Sequence, residues 1–264
     1  MPGASADGLR LRIWRNPLHL AVSGSLWRSA WFLMVYIFAS GWLLFAASLT
    51  AVLTAALLTV TIAGIPLLAA AAGVLRGCAN AERFRLRRAF TQPVRGGYRP
   101  VTGKGILAQA RTRWRDRATW RDVAYLIGLW VPLFILDTVV VTVWLVFLTG
   151  ITLPIWYWAP KSTFDNGVTA HGVQLGYFPN GPNGSGGHGI YVDTLPKALL
   201  AAAACLVLFL IFNYVLVATA RAHARVARAV LRAPEDPLAA AKDVLAQPGP
   251  LQSLTPSRTD PVAH

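Results

Sequence analysis

The feature that most constrains this chain is the stretch from residue 29 to residue 75, which contains no charged side chain. As one α-helix it would be about 70 Å long, roughly twice the ~30 Å hydrocarbon core of a bilayer. We therefore predict two membrane spans within it, at about residues 31–50 and 54–75. The turn between them is predicted around three hydroxyl residues, Ser48, Thr50 and Thr54.

Two more apolar runs follow, and they predict spans at about residues 123–148 and 198–220. The composition agrees with a membrane protein, since 55% of the residues are hydrophobic, 14% are charged and the mean hydropathy is +0.48. Soluble domains carry about 25% charged residues. We expect an all-α membrane protein in which residues 29–232 form a domain of four transmembrane helices, arranged as two helical hairpins.

Basic residues are distributed unevenly among the connecting segments. Four lie in residues 1–28, thirteen in residues 76–121 and four in residues 221–232, whereas residues 149–197 contain two. Because basic segments stay on the cytoplasmic side, we expect both termini and the segment 76–121 inside, against an anionic inner leaflet, and the loop 149–197 outside the cell membrane. A net charge of +14 on a soluble protein would suggest nucleic acid, but this charge flanks membrane spans, so no nucleic-acid partner is expected.

The dipeptide Trp-Arg precedes two of the predicted spans, as Trp27-Arg28 and as Trp120-Arg121. An indole ring suits the headgroup level of a bilayer, and a neighbouring guanidinium can bind lipid phosphate. We therefore predict that both pairs anchor the inner ends of their spans. An aromatic belt is predicted at the outer end of the third span, formed by Trp156, Tyr157 and Trp158.

The segments WRSAWFL and WRDVAYL align over seven positions, beginning at Trp27 and at Trp120. Each precedes an outgoing span and a returning span that ends in a basic helix, ANAERFRLRRAF in the first half and ARAHARVARAVLR in the second. The pattern indicates a parallel duplication of a helical hairpin. The shared requirements of helices at a membrane surface would produce the same likeness, so both explanations stay open.

The segments outside the spans contain few signals. In the predicted outer loop, Val173–Leu175 and Ile190–Val192 could pair as a small β-hairpin across a glycine-rich tip. The histidines of this loop lack the spacing of metal ligands, so no metal site is predicted. Residues 233–264 contain six prolines and are predicted to form a mostly disordered cytoplasmic tail.

Polar side chains within the predicted spans are few. Asp137 lies in the third span, and a carboxyl group there costs about 2.5–3.5 kcal/mol unless it faces the bundle and is protonated or hydrogen-bonded. Thr59 and Thr61 of the second span lie at similar depth and are its predicted partners. As an isolated carboxyl group, Asp137 favours a packing role, with a proton- or ligand-responsive switch as the alternative. Asn213 of the fourth span is expected to form a hydrogen bond between helices.

A resemblance to a known family rests on four stretches: DRATWRDVAYLIGLWVPLFI, TIAGIPLLAAAAGVLRGCANAERFRLRRA, LPIWYWAP and YVDTLPKALLAAAACLVLFL. Their most specific parts are Trp120-Arg121-Asp122 with Tyr125, Gly64-Ile65-Pro66, and Asp193-Thr194-Leu195. Over about residues 25–232 the chain resembles the sensor domain at the N-terminus of many actinobacterial histidine kinases. The resemblance implies a membrane module of two-component signal transduction. The residues after 232 show neither the phospho-acceptor His helix nor the Gly-rich ATP lid of those kinases, so it also implies a separate signalling partner.

Together these observations predict a non-enzymatic sensor-type module that passes a membrane or extracytoplasmic stimulus to a partner such as a histidine kinase. No carboxylate pair, Ser/His set or metal cluster is recognisable in the sequence, so neither a catalytic residue nor a cofactor is predicted. The alternative is a small transporter or channel subunit with Asp137 in its pathway, against which the scarcity of polar residues in the spans argues. The sequence leaves open whether the protein is a monomer or a homodimer.

Overall fold

The computed structural model describes residues 8–11, 13–58, 64–94, 96–100, 105–181 and 184–233. Its helices are α1 (Pro17–Val22), α2 (Gly24–Val35), α3 (Gly41–Leu58), α4 (Gly64–Leu86), α5 (Ile106–Arg115), α6 (Arg117–Val123), α7 (Trp130–Ile151), α8 (Leu153–Trp156) and α9 (Leu195–Leu231). Two π-helical turns, Tyr36–Ser40 and Ala124–Gly128, follow α2 and α6. Residues 1–232 belong to one compact unit. The predicted tail lies outside the described residues beyond Ala233.

Three helical stretches of the described chain are long and apolar enough to cross a membrane: Gly24–Ala56, Trp130–Ile151 and Leu195–Leu231. They overlap the first, third and fourth predicted spans. The second predicted span, residues 54–75, is divided between the end of α3, residues 59–63 outside the description, and the start of α4. The structure is therefore helical with three candidate spans, and a fourth span stays a prediction.

The prediction of a turn around Ser48, Thr50 and Thr54 is wrong, because all three residues lie inside α3. Serine and threonine disfavour a helix only weakly, and the apolar residues between them favour its continuation. The helix that begins at Gly24 is continuous to Ala56, about 50 Å at 1.5 Å per residue. The next described helix begins at Gly64, with Pro66 in its first turn, where the missing N–H of proline breaks no helical hydrogen bond.

The helices pack as two hairpin-like pairs, α3 against α4 and α7 against α9. The pairs are joined where α2 contacts α9 and where α6 contacts α4, and one hydrophobic core runs through all of these helices. On α9 three alanines near His223 are fully buried, Ala220, Ala224 and Ala227. Small residues allow helix backbones to approach closely. Polar groups on neighbouring helices therefore come within hydrogen-bonding distance.

The helix α5 in the basic segment packs along α4. Trp114 donates its indole N–H to the carbonyl of Leu68 at 2.8 Å, and Arg113 donates to the carbonyl of Ala69 at 3.0 Å. Arg111 and Arg115 of the same helix are exposed. The segment is thus a structured part of the fold with one exposed basic surface.

The chain between α8 and α9 forms two antiparallel sheets of two strands each. Strand β1 (Lys161–Thr163) pairs with β2 (Thr169–His171). Strand β3 (Val173–Tyr177) pairs with β4 (His188–Val192), with Val173 opposite Val192 and Leu175 opposite Ile190. A small cluster of Leu153, Val192 and Ala198 packs the second sheet against the ends of α8 and α9.

Because α7 packs closely on α9, we expect a change to alanine to affect stability differently at two glycines that lie within helices. A Cβ atom at Gly150 would overlap Cys205 Sγ, whereas one at Gly77 would meet nothing within 4 Å. We expect Gly150→Ala to lower the free energy of unfolding by about 1–3 kcal/mol through overpacking. Gly77→Ala should be neutral or stabilise by about 0.5–1 kcal/mol, because alanine favours a helix. Unfolding in mixed detergent micelles measures the free energy of unfolding of both variants. Equal changes in the two variants would show that the α7–α9 contact is looser than described.

Candidate functional site

Five ionisable side chains meet between the helices: Glu82 and Arg85 of α4, Tyr125 of the second π turn, Asp137 of α7 and His223 of α9. We call this set the buried network. Glu82, Asp137 and His223 are fully inaccessible to solvent, and the other two are nearly so. Charged side chains are rarely buried unless they are paired, so their placement here requires specific partners.

Arg85 neutralises Glu82 within the buried network. Its Nε donates to both carboxylate oxygens at 3.0 Å, and its Nη2 donates to Oε1. Its Nη1 donates to the carbonyl of Phe32 at 2.8 Å, and the guanidinium lies over the Phe32 ring at 3.9 Å. Tyr125 donates its hydroxyl to Glu82 at 2.8 Å. The ion pair is therefore fixed from three sides, by α2, α4 and the second π turn.

Asp137 and His223 form the second pair of the network. Asp137 Oδ2 lies 2.6 Å from His223 Nδ1, and Arg85 Nη2 lies 2.9 Å from His223 Nε2. Since a guanidinium only donates, Nε2 is an acceptor and Nδ1 carries the ring proton towards Asp137. In this arrangement His223 donates from Nδ1 to Asp137 and accepts at Nε2 from Arg85, so it links the second pair to the first.

The second carboxylate oxygen of Asp137, Oδ1, is buried and has no hydrogen-bond partner among the described residues. A buried acceptor without a donor is costly. Among the described residues, Asp137 is therefore held through Oδ2 alone, by His223.

Both π turns place a tyrosine beside the buried network. Tyr36 begins the first π turn, and its ring meets the imidazole of His223 edge-on at 4.5 Å. Tyr125 is the second residue of the other π turn. Such turns add one residue to a helical turn and are frequent at functional sites. Pro132, which has no N–H, lies in the first turn of α7 and helps to interrupt the regular helix before it.

A second polar cluster joins α4 to the end of α9. Arg83 donates to Asp122 at 2.6 Å, to the hydroxyl of Tyr98 at 2.5 Å and to the carbonyl of Leu231 at 3.2 Å. Tyr98 in turn donates to Asp122 at 2.7 Å. We call these four residues the Arg83 clamp. Because Leu231 is the last residue of α9, the clamp fixes that end of the helix to α4 and α6.

Burial, together with the hydrogen bond to Asp122, raises the pKa of Tyr98 from its ordinary 10.0 to about 12. The phenol thus keeps its proton longer in the folded state than in the unfolded state. The stability that this group contributes is present below pH 10 and is lost as the pH rises towards 12.

Asp137, the first of the polar residues predicted within the spans, faces the bundle as expected. The prediction that it is isolated is wrong, because its partner is His223 of α9. The partners predicted for it, Thr59 and Thr61, lie outside the described residues. Asn213 forms the expected bond between helices, accepting from the indole N–H of Trp144 at 2.9 Å.

The predicted anchors lie in different surroundings. Trp27 and Trp120 are both exposed. The ring of Trp27 meets the buried ring of Trp144 at 5.7 Å, and Trp120 donates to the carbonyl of Trp114 at 2.9 Å. Arg121 donates to the carbonyl of Arg232 at 2.6 Å. The indole of Trp156 donates to Thr152, the residue before α8, and the indole of Trp158 donates to the carbonyl of Ile155 in α8. Tyr157 packs against the small cluster that holds the second sheet. The structure describes these contacts, and lipid anchoring stays a prediction.

Sequence reasoning missed Glu82, Arg85 and His223. They lie in basic helix ends, which were interpreted only as segments that set the orientation of the protein in the membrane. A signal was present in the residues around them. Glu82 and His223 each stand in a run of alanines, ANAE and ARAHA. A lone acid or histidine among small residues is typical of a helix surface packed against another helix.

Three comparisons with known proteins relate to this geometry. A family model described as "Putative sensor" matches residues 32–231, which include the whole buried network and the Arg83 clamp. No curated protein matches the chain, and no solved structure matches it.

Proposed function

The chain belongs to the sensor family whose model covers residues 32–231, and we propose that it acts as an integral membrane sensor module of bacterial signal transduction. In this proposal the protein has no enzymatic activity of its own. It passes a membrane or extracytoplasmic stimulus to a partner such as a histidine kinase.

The observation that carries the proposal is the buried network, because it connects elements of both helical pairs. Glu82 and Arg85 belong to α4, whereas Asp137 and His223 belong to α7 and α9. Buried charges tolerate few arrangements, since each must keep its partners. In this proposal a displacement of one helix is therefore passed to the other helices through these pairs. Such a coupled element suits a switch with two states.

A route for output follows from the continuity of α9. His223 of the buried network and Leu231 of the Arg83 clamp lie two helical turns apart on this helix. Arg83 and Glu82 are neighbours on α4, so one helix carries a member of both clusters. In this proposal a rearrangement of the buried network is transmitted to the point where α9 ends.

The function is tested by replacing the gene with variants in the cell of origin. We expect Asp137→Asn and deletion of the gene to change a common, limited set of transcripts, together with the phosphorylation of a response regulator. Asp165→Asn is the matched control, because Asp165 is exposed in the loop between α8 and α9. The Asp137→Asn protein must be present in the same amount as the unmodified protein. If neither deletion nor Asp137→Asn then alters any transcript, the sensor proposal is wrong.

A second candidate function is favoured by the Asp137–His223 pair, since a carboxylate and an imidazole in contact can pass a proton inside an apolar bundle. The protein would then be a small transporter or channel subunit. Proton flux into proteoliposomes distinguishes the two functions. The sensor proposal expects no flux above that of empty liposomes, and a flux that Asp137→Asn abolishes would replace it by transport.

The proposal includes the orientation that the basic residues predict, with both termini in the cytoplasm. Gln92 and Ser185 are exposed and can be changed to cysteine after Cys78 and Cys205 are replaced. A membrane-impermeant maleimide should label Ser185→Cys on intact cells and Gln92→Cys only after the cells are opened. Labelling of both from outside, or of neither, would contradict this orientation.

A further inference from the structure

A cavity of about 480 Å³ lies between α2 and the end of α4. Its volume is within the ordinary range of small-molecule sites. Four arginines line it, Arg10, Arg28, Arg85 and Arg88, and the indoles of Trp27 and Trp31 form an apolar wall. We call it the arginine–tryptophan cavity.

The cavity is built by three elements whose positions are fixed. Arg28 and Trp31 are three residues apart on α2, so they share one helix face. Arg85 and Arg88 are likewise one turn apart at the end of α4. The N-terminal segment closes the cavity, because Arg10 donates its backbone N–H to the carbonyl of Ala89 at 2.8 Å, beside a bridge between Leu9 and Phe90. The third wall is thus held by backbone hydrogen bonds.

Three of the four arginines that line the cavity have no carboxylate partner among the described residues, the exception being Arg85, which pairs with Glu82. No acidic residue is among the described residues that line it. Within the described part of the chain, the side chains of Arg10, Arg28 and Arg88 have neither an ion pair nor a hydrogen bond. Guanidinium groups bind phosphate in a bidentate manner, and several around one space create a strong preference for an anion.

We propose that the arginine–tryptophan cavity binds an anionic phospholipid, with its phosphate among the arginines and the first carbons of its chains against Trp27 and Trp31. Two observations favour a lipid over a soluble anion. Both indoles are more than half exposed, at 52% and 57%, so they offer an apolar surface that a free phosphate would leave uncovered. They also belong to the helix Gly24–Ala56, which is apolar and long enough to cross a bilayer.

Arg85 connects this cavity to the buried network. Its guanidinium has five N–H groups, and four are used, by Glu82 twice, by Phe32 and by His223. One N–H on Nη1 remains, and the same side chain lines the cavity. Bound phosphate would therefore act on the residue that pairs with both Glu82 and His223. This regulatory consequence depends on the proposed sensor function, whereas the binding of the lipid does not.

Native mass spectrometry of the full chain in a neutral detergent tests the site directly. Phosphatidylglycerol and phosphatidylcholine with identical acyl chains are titrated separately, and the first bound lipid is quantified. We expect phosphatidylglycerol to bind at least about tenfold more tightly than phosphatidylcholine. Arg28→Gln with Arg88→Gln should weaken the binding of phosphatidylglycerol by about thirtyfold, since each basic residue near an anionic lipid raises the affinity by about fivefold.

The matched control is Arg111→Gln with Arg115→Gln, which removes the same charge from the exposed surface of α5. It should bind phosphatidylglycerol as the unmodified protein does. Equal losses in both double variants would mean that general charge attraction explains the binding, and the site would be refuted. An equal affinity for both lipids would refute it as well.

Two further measurements separate the alternatives. Glycerophosphoglycerol carries the same phosphodiester group as phosphatidylglycerol without the acyl chains, and efficient competition by it would identify a soluble anion as the occupant instead of a lipid. Trp31→Ala should weaken lipid binding and leave the elution volume of the protein unchanged, because Trp31 is exposed. Unchanged lipid binding by Trp31→Ala would contradict the apolar half of the site. None of these outcomes depends on whether the protein signals.

Discussion

Replacement of Glu82 by leucine is expected to lower the free energy of unfolding by about 3–5 kcal/mol, because it leaves the buried guanidinium of Arg85 without a carboxylate. Glu82 accepts from Arg85 and from Tyr125, and both it and Arg85 are buried. Unfolding of the purified protein in mixed detergent micelles measures the loss. The effect should be among the largest of any single substitution, since few mechanisms exceed this cost.

Three variants show whether that loss comes from the ion pair. Glu82→Gln keeps an acceptor for Arg85 and should cost less than leucine does. The double change Glu82→Leu with Arg85→Met removes both charges and should recover at least half of the loss. The exposed pair of Asp193 and Lys197, at 2.7 Å, is the matched control, and Asp193→Leu should cost less than about 1 kcal/mol. If the double variant is less stable than Glu82→Leu, the pair does not have the role assigned to it.

The pair of Asp137 and His223 should show a coupling energy of about 2 kcal/mol in a double-mutant cycle. The cycle uses Asp137→Leu, His223→Leu and the double variant. The two groups are fully buried and lie 2.6 Å apart, so each single change leaves the other group without its partner. The double change removes both and should cost much less than the sum of the single losses.

A neutral hydrogen bond between the same two helices provides the control. Trp144 and Asn213 also join α7 to α9, at 2.9 Å, and neither carries a charge. The cycle with Trp144→Phe and Asn213→Leu should give about 0.6 kcal/mol, the usual value for such bonds in membranes. Equal coupling in the two cycles would mean that Asp137 and His223 serve only to pack the helices.

The sequence predicted three of the candidate spans because they depend on long apolar runs, which are local. The helix α9 includes the whole predicted fourth span, and α7 includes residues 130–148 of the predicted third span, which began at residue 123. The turn around Ser48 and Thr54 was wrong because hydroxyl residues do not stop a helix of such hydrophobicity. The resemblance to a sensor domain, which rests on motifs such as Trp120-Arg121-Asp122, is confirmed by the family model, whereas the link to actinobacterial histidine kinases stays a prediction.

The buried network could not be predicted in the same way, because it depends on which helices meet. His223 and Asp137 are 86 positions apart in the chain, and Arg85 and His223 are 138 apart. Nothing local distinguishes Arg85, which is buried, from Arg87, which is exposed. Only the packing of α4 against α9 decides between them, through the alanines that bring the two backbones together.

The short N-terminal segment has a consequence for how this domain should be delimited. The family model begins at residue 32, in the middle of α2. Leu9 and Leu11 nevertheless belong to the hydrophobic core, with 7% and 2% of their surface exposed. A fragment cut at the family boundary would lack these side chains, eight of the twelve residues of α2, and both the arginines Arg10 and Arg28 and the two indoles of the arginine–tryptophan cavity. Alignments of relatives, and any transplantation of this domain onto another protein, should therefore start before residue 8.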